Sequence, residues 1–254
     1  MAVALAKHHQ QSEIHAESEH QDVIYQVSTL TELLEAVLDG DETYEEIMKH
    51  GDFGVGTFNA VDGEMVALDG EFYQLHPGGA VTPVKPEQKT PFAAVTFFNV
   101  QAELDIKKPM TESEALALID GSLPSVDEYF AIRINGEFEA LRVRCPKKQK
   151  KPYPSLAELT KSQIEVELTN VTGSIIGFRA PQSAQGTTVA GYHLHFIDDA
   201  RTSGGHVLEF TINEGVVLID HEADLQVHMP EGAKFRTSQL TQEQIDKMIH
   251  DAEG

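Results

Sequence analysis

The sequence predicts a protein of the α/β class in its α+β form, rich in strands and carrying a few short helices. Three observations carry that prediction. The turn dipeptides Asp62-Gly63, Asp69-Gly70 and Asn135-Gly136 lie between short apolar runs, the pattern of strands joined by tight hairpins. Helical periodicity is confined to a few brief stretches. Each of these opens on a threonine with Glu or Gln three residues later, which is capping-box spacing. A basic, proline-bearing stretch at 147–154 then separates two halves.

The chain has 254 residues, 41% hydrophobic and 24% charged, with a formal net charge of −22. That length suffices for a sizeable core. The strong negative charge argues against nucleic acid and anionic membrane surfaces as partners. It also means that an anionic substrate would need a local cation. The single cysteine, Cys145, cannot form an intrachain disulfide. No apolar run approaches the length of a membrane span.

Residues 1–22 are polar, with His8, His9, His15 and His20 among Gln, Glu and Ser. They read as a flexible leader without a secretory signal. Residues 28–40 form the clearest helix, with Leu30, Leu33, Leu34, Val37 and Leu38 on one stripe, the box Thr29/Glu32, and Gly40 as a stop. A second helix covers 44–50, with Thr43/Glu46 as its box. Residues 53–75 read as a β-meander turning at Asp62-Gly63 and Asp69-Gly70, and 92–100 as a further strand. A helix follows at 111–119, boxed by Thr111 and Glu114.

Strands are expected at 126–134 and 137–144, with Asn135-Gly136 as a hairpin turn between them. Residues 163–178 read as two strands broken at Gly173. Further strands fall at 215–218 and 223–228. Thr241 and Gln244 open a closing helix over 241–250, and an acidic tail ends the chain. The halves so defined are 23–150, an N-terminal α/β half, and 151–254, a β-rich half.

The stretch 191–210, GYHLHFIDDARTSGGHVLEF, carries the chemistry. His193 and His195 are two residues apart on a strand and share a face. A polar turn ending in Gly204-Gly205 returns the chain to His206. If the two strands pair, three imidazoles converge. That is the ligand set of a catalytic zinc site with a fourth position open to water or substrate. Histidines on a strand face are also common as plain surface or core residues. A zinc hydrolase shares the three-histidine set, but no HExxH is present. The other alternative is a non-catalytic metal-binding or ligand-binding β-domain, which a closed four-ligand site without room for substrate would favour.

The chain resembles the α-acetolactate decarboxylases. The residues that carry the resemblance are GDFGVGTFNAVDGEMVALDGEFYQL (51–75), PFAAVTFF (91–98), AIRINGEFEALRVR (131–144), KPYPSLAEL (151–159), NVTGSIIGFRAP (170–181) and the histidine hairpin. The resemblance implies two α/β halves with mixed, largely antiparallel sheets, assembled as a cytoplasmic homodimer. It implies a zinc enzyme that converts 2-acetolactate to (R)-acetoin and carbon dioxide. His193, His195 and His206 match its zinc ligands. Arg144, in RVR, and Glu64, in DGEM, match its active-site arginine and glutamate. Glu253 is the nearest match to a C-terminal glutamate, with Asp251 as a competitor. Cys145 stands where the family is expected to carry Ser or Thr.

The implied chemistry suits these residues. Loss of carbon dioxide from a β-keto acid pushes electrons onto the ketone oxygen and leaves an enediolate, which a Lewis acid stabilises. Arg144 brings planar, charged donors to an anionic substrate. The proton that completes the product could come from Glu64, Glu253, Arg144 through a water, or a zinc-bound water.

Overall fold

A computed structural model of the chain describes residues 22–154, 159, 163–229 and 241–253. The leader before Asp22 and most of 155–162 lie outside the described residues.

The strands form two sheets. The first has seven strands in the order β13-β1-β6-β2-β3-β4-β5: Asp224–His228 (β13), Val23–Val27 (β1), Ala93–Thr96 (β6), Phe53–Thr57 (β2), Glu64–Leu68 (β3), Glu71–Leu75 (β4) and Val81–Pro83 (β5). Its β1–β13 pair is parallel and the rest are antiparallel. The second is antiparallel, in the order β11-β10-β9-β12-β7: Gly191–Asp198 (β11), Ile164–Ala180 (β10), Tyr129–Cys145 (β9), Gly204–Glu222 (β12) and Ala102–Ile106 (β7). The short strand Met110–Thr111 (β8) pairs with β12. Because β11 also pairs with β12, the strands β11, β10, β9 and β12 close into a ring.

The ring is filled by Phe130, Ile132, Phe138, Val143, Phe196, Val207 and Phe210, among others. Phe138 meets Phe196 and Phe210 edge-on, at 5.5 and 5.9 Å between centroids, a favourable aromatic arrangement. A second apolar layer, including Phe53, Val66, Leu68, Ile176 and Ile197, joins the outside of the ring to the first sheet.

The mixed, largely antiparallel sheets agree with the expectation. The expected turns within the second sheet do not occur. Asn135-Gly136 lies inside β9, and Gly173 lies inside β10. Gly136 pairs with Gly173 on one side and Gly215 on the other, so the three glycines form a row across three long strands. A Cβ on Gly136 would stand 2.6 Å from the Glu214 carbonyl oxygen, and one on Gly173 would stand 2.5 Å from that of Ile197. The glycines allow close backbone approach where the strands bend around the ring.

The sheets also do not divide at residue 150. Strands β7 to β9 precede that point yet pair with β10 to β12, whereas β13 returns to the first sheet beside β1.

The first two helices are shorter than their sequence patterns suggest. Helix α1 spans Leu30–Leu34, with Thr29 accepting from the Glu32 amide. It stops because Ala36 takes a left-handed φ of 63°, although Leu38 is still buried. Helix α2 spans Tyr44–Ile47. Helix α3, Glu112–Asp120, has the full reciprocal box of Thr111 and Glu114. Helix α4 runs Gln242–Glu253, further than expected. Thr241 and Gln244 cap it reciprocally, at 2.8 and 3.3 Å.

Candidate metal centre and active site

The three histidines meet on the outer face of the ring, toward the first sheet. Leu194 and Phe196 fill the ring, so the alternate positions His193 and His195 face outward. Val207 likewise fills the ring, which turns His206 the other way. His195 is directly paired with His206 across β11 and β12. The turn between these strands is fixed by Asp198, whose carboxylate accepts from the Thr202 and Ser203 amides and the Thr202 hydroxyl.

One ligand atom from each of His193, His195 and His206 lies within 4.8 Å of the others. His195 is 1% exposed, and its Nδ1 donates to the Met65 carbonyl oxygen at 2.9 Å. Its Nε2 is buried without a hydrogen-bond partner. A buried, orphaned ring nitrogen aimed at two further imidazoles fits a metal ligand.

Removal from water, together with the charge of Arg144, holds His193 down to about 4. Burial first, then His193 and Arg144, hold His195 well below the ordinary histidine range. Both rings are therefore neutral near pH 7, the form that binds metal.

The first sheet supplies the opposite wall. Glu64 opens β3, and its Oε2 lies 3.8 Å from His195 Nε2. The turn before it requires Gly63, at φ 86°, where a Cβ would stand 2.2 Å from the Leu75 carbonyl oxygen. Thr57 Oγ1 donates to the Gly63 carbonyl at 2.7 Å and ties the turn to β2. Arg144, at the end of β9, is the direct strand partner of His206. The Cys145 thiol is pushed up by burial and by the nearby charge of Glu64, so it is held as an unreactive thiol. The structure thus brings together five residues singled out in the sequence: His193, His195, His206, Glu64 and Arg144.

Glu253 is in the last turn of α4. Ile249, one turn earlier, is buried in an apolar cluster with Leu30, Leu34 and Phe92. The Phe92 ring lies 6.4 Å from that of His193. The closing helix is therefore docked on the wall of the histidine site. Sequence reasoning missed Met65, whose contribution is a backbone carbonyl and leaves no residue-type signal. It also missed Phe92, which reads as an ordinary strand aromatic.

Fold and site together define a β-rich enzyme with a three-histidine centre, a carboxylate and an arginine at the junction of two sheets. The sequence profile of the alpha-acetolactate decarboxylase family matches residues 24–242. The alpha-acetolactate decarboxylase of Methylococcus capsulatus is 43% identical over 252 residues, 99% of this chain and 96% of the relative. That of Bacillus subtilis is 42% identical over 231 residues, 91% of each chain. The crystal structure of the enzyme from Bacillus subtilis strain 168 superposes with a TM-score of 0.89, covering 91% of this chain and 99% of that one. The chain belongs to the alpha-acetolactate decarboxylase family, a family of carboxy-lyases.

Proposed function

We propose that the protein decarboxylates 2-acetolactate to (R)-acetoin and carbon dioxide with zinc held by His193, His195 and His206. The observation that carries this reading is the orphaned Nε2 of buried His195, within reach of the two other imidazoles. A zinc ion there supplies Lewis-acid stabilisation of the negative charge that decarboxylation places on the substrate oxygens.

The protein's own groups do the rest. Arg144 offers a fixed cation and paired donors to the substrate's anionic end, against the field of a chain with net charge −22. Glu64, beside His195 Nε2, holds or delivers a proton on the side of the first sheet. Glu253, at the end of α4, is assigned by the family resemblance as the second carboxylate able to handle that proton. Met65 holds the His195 ring in one tautomer. The two walls come from different sheets and carry different groups, Glu64 on one and the histidines with Arg144 on the other. That asymmetry supports a single product enantiomer.

The same reading makes the protein a cytoplasmic homodimer acting on a small molecule. Among the described residues no helix is long and apolar enough to cross a membrane. Chiral analysis of the acetoin formed from racemic acetolactate tests the proposal, before and after chelation and on adding zinc back. Racemic product, or activity indifferent to chelation, contradicts it. The mass in solution tests the dimer.

A further inference from the structure

Away from the histidine site, two carboxylic acids are buried, and among the described residues no lysine or arginine acts on them. Asp220 and Glu222 lie two residues apart on β12, on one face of the strand, and are 0% and 1% exposed. They stand where the chain passes twice between the sheets. Strand β6 of the first sheet leads into β7 of the second, and β12 of the second leads through Ala223 into β13 of the first.

The acids tie these crossings together. The Asn99 amide donates to Asp220 Oδ2 at 2.6 Å, and Thr96 Oγ1 donates to Glu222 Oε2 at 3.1 Å. Alongside them, the Gln101 amide bonds the Ile219 carbonyl and the Ala223 amide bonds that of Asp22. The second oxygen of each acid, Asp220 Oδ1 and Glu222 Oε1, is buried with no hydrogen-bond partner among the described residues.

Among the described residues, the charges that act on the pair are mostly acidic, and only His221 favours ionised Asp220. They are Asp22, just before β1, Asp52, just before β2, and His221, the next residue along β12. His221 is itself 3.2 Å from Glu128, and Asp52 accepts from the Phe98 amide at 2.9 Å. None of them is a lysine or arginine. A buried carboxylate with a like charge beside it and no cation gives way to its neutral form.

We propose that Glu222 is a neutral carboxylic acid in the folded protein, and that its proton keeps the crossing between the two sheets closed. Burial pushes Asp220 up to about 6. Burial, with the charge of Asp220, pushes Glu222 up to about 8. The two titrate as a pair.

The folded state therefore keeps a proton that the unfolded chain releases near the ordinary value of 4.5. Stabilisation from this proton is complete below that value and is lost as the pH rises through about 8. The crossing matters to the active site because Glu64 and Met65 sit on the first sheet and the histidines on the second.

The test follows thermal unfolding of the metal-loaded protein from about pH 6 to about pH 9, for wild type and Glu222→Gln. The wild-type midpoint falls with rising pH. The variant, with a permanently neutral side chain, loses less than half as much. Parallel profiles overturn the proposal. Infrared spectroscopy of the wild type decides the matter even if the variant fails to fold. A protonated-carboxyl carbonyl band still present at about pH 7.5, above the range in which Asp220 titrates, that fades toward about pH 9 supports the proposal. Absence of that band at the lower pH, as when a bound cation holds both acids ionised, overturns it.

Discussion

His195 and Met65 are joined across the two sheets: the imidazole Nδ1 donates to the Met65 carbonyl oxygen at 2.9 Å. A carbonyl can only accept, so Nδ1 carries the hydrogen and Nε2 keeps its lone pair. That nitrogen is buried and unpartnered. One backbone hydrogen bond thus sets both the tautomer and the aim of a proposed metal ligand, and it couples that ring to the strand that carries Glu64.

The metal assignment predicts about one zinc per chain. His193→Ala, His195→Ala and His206→Ala each lower zinc affinity by about a hundredfold or more. His221 and His228 are engaged with Glu128 and Glu42, each at 3.2 Å, so His221→Ala and His228→Ala retain the metal. Metal analysis of the purified variants checks this. Loss of zinc from the latter pair with retention in the former reverses the assignment.

Zinc binding is also predicted to be insensitive to mild acid. His193 is held down to about 4 and His195 well below its ordinary value. Neither ring then carries a proton that the metal must displace above about pH 5. Proton competition at these two ligands is absent from about pH 7.5 to 5.5 and sets in only as the pH nears 4. Competition with a chelator across that range measures it. A steady decline beginning near pH 6.5 would show the rings to be ordinary, solvated histidines.

Arg144→Lys keeps the charge and loses the planar fork. Turnover falls by about tenfold or more, while zinc content is unchanged because Arg144 is the strand partner of His206 and not a ligand. Steady-state kinetics with metal analysis checks both parts, and wild-type kinetics would remove Arg144 from substrate binding.

The site was more legible in the sequence than the fold around it. The two-residue spacing of His193 and His195 and the Gly204-Gly205 return are local signals, and local pairing realises them. The meander turning at Asp69-Gly70 was legible for the same reason, since both residues take the positive φ of a tight turn. Asn135-Gly136 carries an equally strong turn signal, yet it lies mid-strand. Its glycine answers to Gly173 and Gly215, distant in sequence and adjacent in the sheet. Such a requirement is tertiary and leaves no local trace. The same holds for β13, whose parallel pairing with β1 joins segments far apart in the sequence.

Helix α4 carries the proposed second carboxylate, Glu253. Ile249 anchors it beside Phe92, so deleting residues 251–254 leaves the fold in place. Activity nevertheless drops by about tenfold or more, the loss expected for one acid–base group. Glu253→Gln reproduces most of that loss and Asp251→Asn does not. Circular dichroism and turnover of the three variants separate folding from chemistry. Full activity after truncation leaves Glu64 as the carboxylate of the reaction.

The measurement that reaches furthest is the simplest: purified, zinc-loaded protein is mixed with 2-acetolactate, and acetoin and carbon dioxide are followed together. The geometry predicts that both appear at equal rates, that His195→Ala abolishes them, and that no other co-substrate is needed. Acetolactate left unconsumed by protein that holds its full zinc would contradict the assignment.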